Sequence, residues 1–323
     1  MSAGPVPADA LLEDIRAADL VVAGTVQDVR DADGDPSVVS SAARPDRDRL
    51  RSAAIEILRI LAGNAQGPTL EALFLEGRVP SRPWVPLWIA QPFLLLLRST
   101  ARGHVVADPT RRPIRTLARI SSPEPGASAE RAIAHELEQV ILLADASREP
   151  DLLAEATAAR LDIHVPLDEA WMLGPVGSEP LRRTAWVAVS LAEGHVDALR
   201  EVSVLFAGPG SAEMEAVRSL VIWKVAQVRD PRARTELARL LAAPRVELAR
   251  SAARALRELR DPHTAADLAE ALDHLDQEVR YQALMGLAEL YPGMGPAPSL
   301  ERFRAGESKY RDHWRAWWRR RAE

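Results

Sequence analysis

In DPHTAADLAEALDHLD (261–276), the residues His263, Asp267, Glu270 and His274 follow one another at spacings of 4, 3 and 4. On an α-helix this order stacks two imidazoles and two carboxylates along one face, opposite Leu268, Leu272 and Leu275. Such a donor set suits a divalent metal. His263 and His274, however, stand three turns apart, about 16 Å at 1.5 Å per residue, which is beyond the reach of one ion. The expectation is a solvated helical face with no metal.

Other chemistry-bearing patterns stop short of their motifs. His135-Glu136 has no second histidine to complete a zinc-protease helix, and GPGSAE (208–213) breaks the dinucleotide fingerprint at its last position. DADGD (31–35) opens like a calcium loop, but Pro36 replaces the turning glycine and Ala42 sits where a bidentate glutamate belongs. No glycine-rich phosphate loop and no G-x-S-x-G elbow occurs. The chain has no cysteine, which removes disulfides, thiolate nucleophiles and cysteine-ligated metal clusters. No catalytic residue, no metal site and no cofactor is assigned, and the expectation is a chain that is not an enzyme.

A different set of residues repeats. VRSLVIWKV (217–225), LARSAARAL (248–256) and VRYQALMGL (279–287) are one pattern at intervals of 31. Val217, Leu248 and Val279 share a register, and the positions four and eight residues later are also apolar, so each segment is a helix with one apolar stripe. Asp230-Pro231 and Asp261-Pro262 keep the same interval. Each opens a further helix, aspartate capping the free N–H groups and proline supplying the helical φ at N1. A pair of short helices cannot bury its own stripe, but a stack of near-copies can. LRRTAWVAV (181–189) fits the frame at an interval of 36, giving four repeats over about 179–292.

Opposite the apolar stripe, the register sets Arg183 and Val187, Ser219 and Trp223, Arg250 and Arg254, and Tyr281 and Met285 outward in two adjacent rows. The concave side of the stack is where these rows are expected. Arginine, tryptophan, tyrosine and methionine are the types enriched where proteins bind one another. Trp223, Arg250, Arg254, Tyr281 and Met285 are therefore the candidate partner-binding residues; packing between repeats and ordinary surface ion pairs are the alternative use for them. Residues 179–292 hold 15 basic and 17 acidic side chains. Nucleic acid wants a clear positive excess, so a protein or peptide partner is expected and nucleic acid is not.

The elements around this stack follow from composition. At 323 residues, with a formal net charge of −5, 47% hydrophobic and 27% charged residues, the chain is long enough for more than one core and ordinary for a folded protein. All but two of its 41 basic residues are arginine, Lys224 and Lys309 being the exceptions. Valine- and leucine-rich runs at 19–30, 53–63, 69–77, 92–99 and 104–108 read as five strands of a small barrel or sandwich, although 53–63 also fits a helical spacing. The run 83–97 is too short and too proline-rich to span a bilayer, so no integral membrane segment is expected. SPEPGAS (122–128) marks a boundary. Helices at 129–146 and 150–162 bridge to the repeats, and 165–180, with three prolines and two glycines, reads as loop. In the tail, Tyr310, Trp314, Trp317 and Trp318 form one aromatic stripe beside Arg311, Arg315, Arg319 and Arg320. It suits a capping helix on the last repeat, or else an anchor for a membrane surface or nucleic-acid backbone.

The expected fold class is thus α+β multidomain: a small N-terminal β-barrel or sandwich (1–121), a helical bridge and loop (122–178), an all-α solenoid (179–292) and a C-terminal aromatic, basic capping helix (293–323). The pattern V-R-x-x-A-x-x-x-L with its Asp-Pro turns resembles HEAT-type repeats, especially the short variety first named from phycobilisome lyases. ADLVVAGTV (18–26), EILRILAG (56–63) and PFLLLLR (92–98) resemble strands of the netrin-like, OB-type barrels that precede repeat domains in bacterial proteins. These resemblances imply a noncatalytic interaction scaffold holding a protein or peptide on its concave face. They also imply the alternatives of a HEAT-repeat lyase or DNA-repair-type enzyme, or an exported inhibitor acting through the barrel. The start of the chain shows no secretory signal, which fits a cytoplasmic protein or a trimmed periplasmic or extracellular one. The sequence leaves the oligomeric state open.

Overall fold

A computed structural model describes residues 10–44, 46, 48–77, 91–110, 113–167, 171 and 179–322. The chain divides into two compact units, Met1–Val176 and Gly177–Glu323. Together they make an α+β multidomain protein in which a β-barrel is followed by a helical, HEAT-like array.

The first unit opens with a short helix, α1 (Ala10–Ala17), that the strand patterns did not announce; its Leu11 and Ile15 are both buried. Strands β1 (Leu20–Asp31), β2 (Asp48–Ala62), β3 (Thr69–Gly77), β4 (Pro92–Thr100) and β5 (Gly103–Val106) follow, with a two-residue β6 (Ile114–Arg115) on the outer edge of β4. Their order is β1-β2-β3-β5-β4, and β4 pairs back to β1 with Leu20 opposite Leu97, so five strands close on themselves. The result is a barrel rather than a sandwich, and closure leaves none of the five with a free edge. Gly24 makes the curvature affordable: a Cβ there would lie 2.6 Å from Ile55 Cγ2 and 2.9 Å from the Glu56 carbonyl, and the β1–β2 register shifts next to it. Inward positions of alternating strands, among them Val22, Ile55, Phe74, Phe93 and Leu95, fill the interior.

The segment 53–63 is strand, as its β-branched content favours, but it begins five residues earlier than the apolar pattern shows. Arg49 and Arg51 disguise the start because they point outward to Asp31 and Glu76. In 31–42, Asp35 accepts from the Ser37 N–H at 2.9 Å and opens a 3₁₀ turn, Pro36–Val38. Its role is turn formation.

Two helices, α2 (Ala129–Leu143) and α3 (Pro150–Leu161), complete this unit. Ser128 caps α2 through the Arg131 N–H, and the face Ile133, Leu137, Val140 and Ile141 is buried. Glu136 on α2 receives Arg59 from β2 (Nε to Oε2, 3.1 Å) and the Thr116 hydroxyl, all three side chains being buried. Arg160 on α3 reaches Glu138 at 2.8 Å and the carbonyls of Ile163 and Val165. Burial pushes the Glu138 carboxyl up despite Arg160. Of the expected loop 165–180, residues 168–170 and 172–178 lie outside the described residues, as do 83–90 of the run 83–97; the rest of that run enters β4. Among the described residues no helix is long and apolar enough to cross a membrane.

The second unit alternates long and short helices: α4 (Pro180–Ala192), α5 (Leu199–Leu205), α6 (Ala212–Val225), α7 (Arg234–Leu240), α8 (Val246–Leu259), α9 (Ala265–Ala271) and α10 (Gln277–Leu290). The expected caps are present. Asp230 and Asp261 accept from the N–H groups of Arg232 and His263, each at 2.9 Å, and start 3₁₀ turns that lead into α7 and α9. The apolar register holds throughout: Val217, Val221, Val225, Leu248, Ala252, Leu256, Val279, Ala283 and Leu287 are all wholly buried, and those after Val217 share one core. Two last helices, α11 (Leu300–Ala305) and α12 (Glu307–Ala322), lie on α10. The aromatic stripe of α12 faces that core: Trp314 is fully buried and donates from Nε1 to the Pro296 carbonyl at 3.0 Å, and Trp317 packs on Tyr291 with ring centroids 4.7 Å apart.

Candidate functional site

The long helices run parallel, a fact fixed by their ion pairs. Between α6 and α8, Arg245 at the mouth of α8 joins Glu215 in the first turn of α6, while Arg229 just past α6 reaches Glu258 near the end of α8 at 3.9 Å. Between α8 and α10, Asp276 joins Arg250 at the start, and Arg257 joins Glu289 and Gln282 toward the end. N-terminal ends are thus tied to N-terminal ends and C-terminal ends to C-terminal ends. The ties are charge-assisted: hydrogen bonds from Arg250 hold the Asp276 carboxyl at about 2, and those from Arg245 do the same for Glu215.

On this parallel set the residues predicted to face outward fall into two rows. Ser219, Arg250 and Tyr281 form the first. Trp223, Arg254 and Met285 form the second. Trp223 is 48% exposed, with the Lys224 ammonium 4.4 Å from its ring centroid. Arg250 is held by Asp276 (2.7 and 3.0 Å), and Arg254 is exposed. Tyr281 is half-buried against Phe303 of α11, ring centroids 5.4 Å apart, and its hydroxyl donates to the Pro298 carbonyl at 3.5 Å. Met285 is half-buried on the edge of the core. The five candidates therefore occupy neighbouring helices, but Arg250 and Tyr281 already have partners within the chain.

The first repeat does not extend the rows. Val187 is buried, because residues 187–191 of α4 are covered on every side, and Arg183 is engaged by Glu201. The equivalence at an interval of 36 predicted the helix but not its exposure.

The His/Asp/Glu series at 263–274 is rearranged as well. Helix α9 ends at Ala271, so His263 lies in the preceding 3₁₀ turn and His274 in the connection to α10, and the four do not share a helical face. Leu275, placed on the apolar face by that periodicity, is 96% exposed in the turn before α10. Asp267, Glu270 and His274 instead join Asp273, Ala238, Leu241, Ala242 and Ala271 around a cleft of about 310 Å³ between α7 and α9. The Asp267 carboxylate is taken by Arg234 at 2.8 Å, Asp273 by Arg315, and His274 Nδ1 accepts from the Asp276 N–H at 3.0 Å. Among the described residues no group of three or more histidines, cysteines or acids could hold a metal ion. Sequence spacing missed this cleft because Ala238, Leu241 and Asp273 meet only through the stacking of α7 on α9.

A family model described as HEAT repeats matches residues 210–288, the stretch from the start of α6 to the last turn of α10. HEAT repeats are generally protein-interaction scaffolds. No curated protein and no solved structure matches the chain.

Proposed function

We propose that this chain is a noncatalytic interaction protein whose repeats hold a protein or peptide partner on the concave face presented by α6, α8 and α10, with Trp223, Arg250, Arg254, Tyr281 and Met285 as contact residues. The observation that carries this reading is the row Trp223–Arg254–Met285. An indole 48% exposed leaves apolar surface in water, and with an exposed guanidinium one helix on and a half-buried thioether a further helix on it presents residue types favoured where a partner binds. The 31-residue period, with second helices of only seven residues, supports assignment to the short HEAT variety. Strand order β1-β2-β3-β5-β4-β1, with β3 parallel to β5, supports an OB-type barrel.

Full-length wild type and the Trp223→Ala/Arg254→Ala variant are compared as baits, with bound proteins identified by mass spectrometry. Partners enriched on wild type and lost from the variant are expected. Identical recovery from both baits would remove the α6–α10 face from consideration. Both side chains are exposed, so unchanged thermal melting should confirm that loss of binding is not loss of folding. Tyr281→Ala is a weaker second variant because it also loosens the contact with Phe303.

A further inference from the structure

The partner's chemistry can be read from the same face, and this step rests on the proposal above. The four long helices carry seven arginines. Six are engaged: Arg183 with Glu201, Arg218 with Glu215 and the carbonyls of Leu205 and Gly208, Arg250 with Asp276, Arg257 with Glu289, Arg280 with Glu307, and Arg182 within its own surroundings. Arg254 has no partner among the described residues and is exposed. The nearby carboxylates do not neutralise it, since Glu258 faces Arg229 and Glu289 is bonded to Arg257. A guanidinium left over in a surface where its neighbours are paired is matched by a carboxylate from outside.

Spacing then limits the form of that outside segment. Packed helices lie about 8–10 Å apart, so Trp223, Arg254 and Met285 follow one another at steps of about 9 Å across the helix axes. A β-strand returns a side chain to the same face every two residues, about 6.7 Å, or every four, about 13 Å; neither matches. A polyproline II helix returns every three residues, about 9.3 Å, which does. An α-helix would need seven-residue steps of about 10.5 Å, just beyond the range. Lys224 covers one face of the Trp223 ring, and the exposed part of the indole is the kind of aromatic surface on which proline rings stack.

We infer that the α6–α10 face binds an acidic polyproline II segment of a protein partner, with a proline on Trp223, an aspartate or glutamate three residues later on Arg254, and an aliphatic residue three residues after that beside Met285.

The probe is a fluorescein-labelled peptide GPPPEPPLG, titrated with the full-length protein by fluorescence polarisation. The comparison peptides carry lysine in place of glutamate (GPPPKPPLG) or glutamate one position earlier (GPPEPPPLG), and a helical 15-mer carries Leu, Glu and Leu at seven-residue intervals. The expected result is binding of GPPPEPPLG at least tenfold tighter than either polyproline control, weakened at least tenfold by Trp223→Ala. Arg254→Glu should reverse the preference so that the lysine peptide binds better; this gain cannot come from misfolding. Equal binding of the glutamate and lysine peptides, or unaltered binding by Arg254→Glu, would overturn the inference. Binding of the helical 15-mer alone, in a Trp223-dependent way, would overturn the polyproline form while leaving the partner face in place. No binding by any peptide would also overturn the inference, and the bait comparison would still decide the proposed function separately.

Discussion

The barrel unit and the repeat unit solve the same problem of burying charge in opposite ways. In the first, Arg59 with Glu136 and Arg160 with Glu138 are almost wholly inside, and the fold depends on β1 meeting β4 from the far side of the barrel sequence. In the second, the pairs Arg245–Glu215, Arg250–Asp276 and Arg257–Glu289 sit along the long helices, partly in water, and each joins one repeat to the next. The first arrangement is cooperative because a closed ring has no partial version. The second is additive: each repeat answers to the one before and the one after.

Three perturbations test that contrast. The largest effect is expected for Arg59→Met, which leaves Glu136 buried without its cation and should cost about 3–5 kcal/mol. Native-state hydrogen exchange on the full chain should show protection lost together across β1–β5 and α2, with α6–α10 unchanged; loss confined to β2 and α2 would mean that the barrel is not a single cooperative unit. Next comes Trp314→Ala, where deleting a fully buried indole costs about 3–5 kcal/mol locally. Here the loss should be confined to α10–α12 and fade toward α6. Spread over all the long helices would contradict additivity.

The smallest effect is that of acid. Asp276 and Glu215 titrate at about 2 in the folded chain, below the roughly 4 of an unfolded carboxyl. Their contribution is therefore complete above the unfolded value and is lost as the pH falls toward 2. It is modest for Glu215, which is 41% exposed and partly screened by water. Glu138 has the opposite sign: its folded value is raised, so its ionised form opposes folding, and that opposition fades as the pH falls through it. Exchange measured between pH 5 and 3 should show protection weakening in α6–α10 before α2 and α3. The reverse order would show that the rim pairs are not what acid breaks.

Much of the repeat unit was legible because a stacked hairpin writes its contacts at a fixed interval, and the positions the period marks in 217–225, 248–256 and 279–287 are all buried. The strands of the barrel were legible as apolar runs, but their closure was not, since the pairing of Leu20 with Leu97 leaves no local trace. Helix α1 escaped notice because eight residues with two buried side chains are too few to show a period. Leu275 was misplaced because the 3.6-residue pattern continues in sequence after α9 has ended. At the site, the positions of Trp223, Arg254 and Met285 followed from the register. That Arg250 is occupied and Arg254 is not depends on Asp276 and Glu289, which belong to the next repeat and come into reach only on stacking.

The ion pairs that tie helix starts to starts and ends to ends have a mechanical consequence. Bracing at both rims resists one rod sliding lengthwise past its neighbour, while the layer between them is largely alanine, valine and leucine, whose packing is not directional. A small change of angle from rod to rod should therefore cost less than a shift of one rod along the next.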